Sequence, residues 1–250
     1  MLVQFIQRFA LVFGLSFAPV ALAYAQENAQ CPYSPSILLQ SCKGDISVRL
    51  RVLPDEAVSK VEHLLTVAGT YSSGDRFGIE GLVIKGGKSI SRRYQNWDGV
   101  LIIDPNGSPK LFHAKNVTID GEDFNLKERT LRHAFIAKAK AAGVTVLQSH
   151  LLITDGVLDL KDVNGAPRFK RRLFLTLKDG SFAIWETAQA ETLYDAARQV
   201  QEELAPVMAF NLDMGAYDYC VSGAGDAQKD CGSLLVSKDK LTNLLEFSKG

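Results

Sequence analysis

Ile46, Val48, Leu50 and Val52 alternate with Ser47, Arg49 and Arg51. This period of two predicts a strand with one face in a core. Leu64–Val67 predicts a second strand, which runs into the small, polar stretch Ala68-Gly69-Thr70-Tyr71-Ser72-Ser73-Gly74. Hairpins are expected where apolar runs flank turn residues. These are 81–85 with 88–91 around Gly86-Gly87, 100–103 with 109–113 around Asp104-Pro105-Asn106-Gly107, and 172–177 with 181–185 around Lys178-Asp179-Gly180. In 128–142 the period becomes helical, with Leu131, Phe135 and Ala139 on one face and Gly143 as the stop. In 192–204 it does so again through Leu193, Ala196, Ala197, Val200 and Leu204. Val144–Ile153 reads as one strand carrying Gln148 and His150, and 207–212 as a short buried strand after Pro206. A short terminal helix is expected over 238–248. Together these elements predict an α+β fold: a single domain whose mixed or antiparallel, strand-rich sheet carries two main helices.

The first 25 residues have a different character. Arg8 precedes an apolar run from Phe9 to Ala23, and Ala23-Tyr24-Ala25 has the small-x-small form of a cleavage site. This predicts a signal peptide cut before Gln26, no membrane anchor afterwards, and a periplasmic or secreted product. The run is short for a membrane span of roughly 20 residues. Gln30 before Cys31 argues against lipid attachment there.

Export changes the reading of the four cysteines. Cys31 and Cys42 lie near one end, Cys220 and Cys231 near the other, and local pairing within each couple is expected because each closes a polar, glycine-containing loop. No CxxC spacing or adjacent histidine supports zinc, and no metal or other cofactor is expected. Residues 26–45 then form an N-terminal stapled segment and 46–250 the domain itself. Basic and acidic residues balance at 28 each, which argues against a nucleic-acid partner. The dense basic run Arg168-Phe169-Lys170-Arg171-Arg172 reads by default as a solvated loop.

The stretch Asn211-Leu212-Asp213-Met214-Gly215 is the strongest candidate for chemistry. It follows a buried strand and brings two polar side chains to a sheet edge, where Gly215 permits a turn. A turn-capping Asp213 is the plainer alternative. His150 is expected to be a satisfied core histidine, Glu80 and Asp98 surface carboxylates, and Met214 a packing residue. Ser72 and Ser73 lack a G-x-S-x-G setting, and neither a P-loop nor a dinucleotide fingerprint is present.

Taken in order, these motifs resemble the phosphodiester glycosidase family over about Ile46 to Ala216. The resemblance rests on Gly81-Leu82-Val83-Ile84-Lys85-Gly86-Gly87-Lys88, Asp98-Gly99-Val100, Gln148-Ser149-His150-Leu151-Leu152, the Arg171-led hairpin to Asp179-Gly180, and Asn211-Leu212-Asp213-Met214-Gly215. Bacterial members are often exported and associated with exopolysaccharide. The resemblance implies a hydrolase with Asp213 and Arg171 as catalytic residues and Gln148, Asn211, Tyr71 and Gly69 binding substrate. At Ala68-Gly69-Thr70-Tyr71 this chain keeps one glycine and the aromatic of the family motif but lacks its asparagine. Met214 stands where the family has glycine.

Cleaving a sugar–phosphodiester at the glycosidic bond builds positive charge on the ring and negative charge on the departing phosphate. A guanidinium suits the second and a carboxylate the first. The expected ligand is therefore a carbohydrate or sugar-phosphate. A non-catalytic periplasmic glycan-binding or envelope-assembly protein with a partly degenerate site is the alternative.

Overall fold

The computed structural model describes residues 34–41, 46–54, 63–73, 78–223 and 225–250. The expected signal peptide and the expected Cys31–Cys42 bridge lie outside the described residues. What is described is an α+β domain built from antiparallel sheets and two α-helices. One sheet has the order 88–92, 82–85, 145–149, 99–103, 109–113. A six-stranded sheet runs 37–41, 182–186, 172–176, 208–211, 151–154, 157–158. A third runs 229–230, 220–222, 65–68, 243–249, 46–52.

All three sheets contribute to one core. Leu50, Val67, Leu101, Leu147, Phe174, Phe210, Leu245 and Phe247 are buried together there. Phe174 stacks on Phe182 with ring centroids 5.2 Å apart. Helix Arg129–Ala141 covers the first sheet through Phe135 and Ala139, which pack with Leu82, Ile84, Val100 and Val146. Helix Leu193–Leu204 covers the six-stranded sheet through Ala196, Ala197 and Val200, which pack with Leu173, Leu175 and Trp185. Thr192 caps that second helix, its hydroxyl accepting from the amide of Asp195 at 3.0 Å. Strands sandwiched between a helix and the core are buried on both faces, so Gly99–Ile103 is apolar throughout instead of alternating. Among the described residues, no helix is long and apolar enough to cross a membrane.

Two expectations are corrected. Val144–Ile153 is not one strand: Thr145–Ser149 belongs to one sheet and Leu151–Thr154 to another, and the chain changes sheet at His150. Residues 238–248 do not form a terminal α-helix. A single 3₁₀ turn at Lys238–Lys240 precedes strand Asn243–Lys249, which pairs with both Ile46–Val52 and Leu65–Ala68. Leu241, Leu244 and Leu245 have helical spacing, but sheet pairing on both edges buries more of the segment than one exposed helical turn would. Strand Ile37–Ser41 pairs with Phe182–Glu186, so that part of the N-terminal segment belongs to the domain body. The expected Cys220–Cys231 disulfide is present.

Candidate functional site

The change of sheet at His150 opens a cavity of about 570 Å³. Tyr71, Trp97 and His150 form an aromatic cluster in its wall, with centroids 5.0 Å (Tyr71–Trp97), 5.8 Å (Tyr71–His150) and 5.1 Å (Trp97–His150) apart. Burial and the nearby Arg171 charge hold His150 below its ordinary pKa, which keeps the ring neutral at neutral pH. It lines the cavity and is only half-buried, which corrects the expectation of a core histidine.

Arg171 lies in the same wall and is only 6% exposed. Its Nε donates to the Glu191 carbonyl at 2.9 Å and its Nη2 to the Pro167 carbonyl at 2.8 Å. Among the described residues no carboxylate pairs with it, although every other member of the basic run with a charge does pair. Arg168 pairs with Glu191 and Asp195, Lys170 with Glu186, and Arg172 with Glu186 and Asp218. A guanidinium has five N–H groups. The two carbonyls fix its orientation and, among the described residues, leave both Nη1 hydrogens and one on Nη2 without an acceptor. Burial lowers its pKa, and the nearby Tyr71 opposes that shift. The result is a fixed cation with an unused fork.

Asp213 sits behind this wall and not in it, 3% exposed. Its amide donates to the Gly69 carbonyl at 2.7 Å, and its Oδ2 accepts from the Ser72 amide at 2.9 Å. Desolvation raises its pKa to about 7, against the opposing hydrogen bonds from Ser72 and the Met214 amide. Gly215 takes φ +73°, the left-handed turn its sequence position required. Met214 is buried. Asn211 Nδ2 donates to the Tyr71 hydroxyl at 2.6 Å and to the Leu212 carbonyl at 2.9 Å. Burial pushes the Tyr71 phenol well above its ordinary pKa, so it keeps a proton that Asn211 does not use.

No protein-family model matches the sequence, and neither does any curated protein. Among solved structures, one similar chain is the catalytic domain of zebrafish N-acetylglucosamine-1-phosphodiester alpha-N-acetylglucosaminidase, auto-inhibited by its pro-peptide. The match has a TM-score of 0.53 at 13% identity and covers 82% of this chain and 73% of that one. A hypothetical protein from Synechocystis matches with a TM-score of 0.47 at 13% identity, over 82% of this chain and 57% of that one. The likeness is one of fold.

In this fold the six expected catalytic and binding residues fall around one place but in different layers. Only Tyr71 and Arg171 line the cavity. Gln148 is 0% exposed, and its amide is fully used. Its Oε1 accepts from the Leu82 and Gln95 amides, both at 3.1 Å, while Nε2 donates to the Gln95 and Trp97 carbonyls at 2.8 and 3.0 Å. It therefore positions Trp97 and has no donor or acceptor left for a sugar. Asn211, 1% exposed, likewise positions Tyr71. Gly69 is needed for close approach: a Cβ there would lie 2.1 Å from Asn243 Oδ1. That Asn243 accepts from the Thr70 amide and donates to the Thr70 carbonyl, both at 2.8 Å, which sets the stretch leading to Tyr71.

Sequence reading missed Trp97 and Asn243, which carry no motif of their own. It also took Asp98 for a plain surface carboxylate, whereas Asp98 and Asp159 line the cavity. With His113 they bring three ligand atoms within 4.8 Å of one another. His113 Nδ1 accepts from the Lys115 amide at 3.1 Å, so its proton sits on Nε2, facing Asp159 at 3.7 Å and Asp98 at 3.9 Å. Lys127 Nζ reaches Asp98 at 2.5 Å. Nε2 thus presents an N–H and not a lone pair to the two carboxylates, and Lys127 already supplies a positive charge at Asp98, so this group does not fit a metal ion.

Proposed function

We propose that this protein is an exported hydrolase that cleaves the glycosidic bond of a sugar–phosphodiester. The observation that carries the reading is Arg171: a buried guanidinium, oriented by two carbonyls, without a carboxylate partner among the described residues and lining an aromatic-walled cavity. A buried cation without a counter-ion is costly, and an anionic ligand is what compensates it. A phosphate diester bears one charge and two unesterified oxygens, which suit the free N–H groups. The Tyr71 hydroxyl supplies a further donor, and Trp97 a flat apolar face for a sugar ring.

In the reaction a water oxygen bonds to the anomeric carbon while the bond from that carbon to the phosphate oxygen breaks. The bonding pair leaves with the phosphate. The products are a free sugar and a phosphomonoester, and the proton lost by water goes to Asp213. A carboxylate with a pKa of about 7 suits a general base near neutral pH. Arg171 and Tyr71 stabilise the charge that develops on the departing phosphate. The Cys220–Cys231 disulfide supports an oxidising, extracytoplasmic setting.

A second reading is a glycan- or phosphate-binding protein without turnover. Asp213, only 3% exposed and outside the cavity wall, favours it. The mature chain, incubated with N-acetylglucosamine 1-(methyl phosphate), is expected to release free sugar, whereas Arg171→Lys is expected to be at least about a hundredfold slower, and Asp213→Asn the same, through loss of the fork and of the base. Wild type no faster than both variants, but still binding the diester in calorimetry, would transfer the assignment to the binding reading.

A further inference from the structure

The loop between strand Val157–Leu158 and strand Arg172–Thr176 does more than deliver Arg171. Leu160, Val163, Ala166, Pro167 and Phe169 from this loop, with Leu193 of the second helix, form an apolar arm of the cavity. Val163 is 62% exposed and Phe169 46% exposed, so the arm presents hydrocarbon to water. Large apolar side chains left open in the wall of a site mark where a ligand covers them.

Of the polar groups near the arm, Arg168 is held by Glu191 and Asp195, the Thr192 hydroxyl caps its helix, and the Pro167 carbonyl accepts from Arg171, while Lys161 and Tyr194 also line the cavity. Sugar hydroxyls laid against the side chains of Leu160, Val163, Pro167 and Phe169 would find no partner in them, each a lost hydrogen bond. A hydrocarbon would instead bury the apolar surface. The arm is also continuous with the anion site, since the Phe169 ring centroid lies 5.2 Å from Arg171 Cζ.

We propose that the second alcohol of the phosphodiester is a long apolar chain, so that the substrate is a lipid-linked sugar phosphate. The inference rests on Arg171 as the phosphate site. It adds the nature of the group on the far side of the phosphate: the hydrocarbon lies along Val163 and Phe169. Hydrolysis then leaves a lipid phosphomonoester in the arm and frees the sugar.

Calorimetry with methyl phosphate, decyl phosphate and decanoate, each below its micelle concentration, tests this without turnover. Decyl phosphate should bind at least about thirtyfold tighter than methyl phosphate, the worth of a few buried methylenes. A Val163→Ser variant, altered only at a solvent-exposed side chain away from Arg171, should lose about threefold of that preference and bind methyl phosphate as wild type does. Methyl and decyl phosphate binding equally, or a preference untouched by this variant, would sink the lipid assignment and leave the phosphate site standing. Decanoate binding as tightly as decyl phosphate would make the ligand a fatty carboxylate, which overturns it too. Neither phosphate binding would remove the phosphate site itself.

Discussion

Replacing Asp213 by asparagine should stabilise this protein, and by an amount that depends on pH. The carboxyl is 3% exposed, and burial raises its pKa from 3.8 to about 7. The folded chain therefore holds this proton more tightly than the unfolded chain does. Between those two values the carboxylate must either stay protonated at rising cost or ionise in a dry site, so wild-type stability falls as pH rises through the interval. At about 1.4 kcal/mol for each pH unit, the accumulated loss above pH 7 is about 4 kcal/mol. Asparagine cannot ionise, and its Oδ1 can still accept from the Ser72 amide as Asp213 Oδ2 does. Urea unfolding of both proteins from pH 4 to pH 8, with unchanged slopes, reads the difference directly. The variant should match wild type near pH 4 and exceed it by up to about 4 kcal/mol above pH 7. A gap that is flat across this range, or that narrows as pH rises, would refute the assignment of a strained carboxylate. The result also bears on turnover, since a residue whose removal stabilises the fold is retained for some other reason.

In the proposed hydrolysis the same proton sets the rate: kcat/KM for the diester should climb with pH and level off above about pH 7, following ionisation of Asp213, and stopped assays across pH 5 to 9 check this. Gln148→Leu strands the Leu82 and Gln95 amides and the Gln95 and Trp97 carbonyls, so it should cost about 3 kcal/mol or more in urea unfolding and weaken ligand binding by releasing Trp97. Arg172→Met leaves the buried Glu186 and Asp218 carboxylates without their shared cation and should cost about 3–5 kcal/mol, visible as a lowered thermal midpoint by circular dichroism. Reducing Cys220–Cys231, which closes a loop of sequence separation 11, should cost about 2–3 kcal/mol when unfolding is compared with and without reductant.

Local patterns along the chain were enough to read the three hairpins, both helices and the turn at Gly215, because each is decided by residues within a few positions of one another. The sheet change at His150 was invisible. Thr145–Ser149 and Leu151–Thr154 are both buried on two faces, so no alternation marks where one sheet ends and the next begins. Arg171 and Arg172 look alike in a basic run, yet Arg172 is neutralised by two carboxylates and Arg171 by none among the described residues. Only tertiary structure separates them. Gln148 and Asn211 were recognised as important residues, but the layer each occupies depends on partners far away in sequence, 53 residues for Gln148 and Gln95 and 140 for Asn211 and Tyr71. Asn243 had no signal at all, since its role is to face Thr70 from a strand at the other end of the described chain.

That strand, Asn243–Lys249, has a consequence for how the protein is made. It lies between Leu65–Ala68 and Ile46–Val52, which do not pair with each other, and it leaves the ribosome after every other described strand. The stretch that presents Tyr71 is therefore shaped by residues synthesised after every other described strand, so a nascent chain lacking them carries the cavity's parts without their arrangement. Joining segments so far apart in sequence closes long loops, which makes folding slow. An unfinished chain thus carries an unformed cavity, and the residues that line it come together only once this strand has paired on both edges.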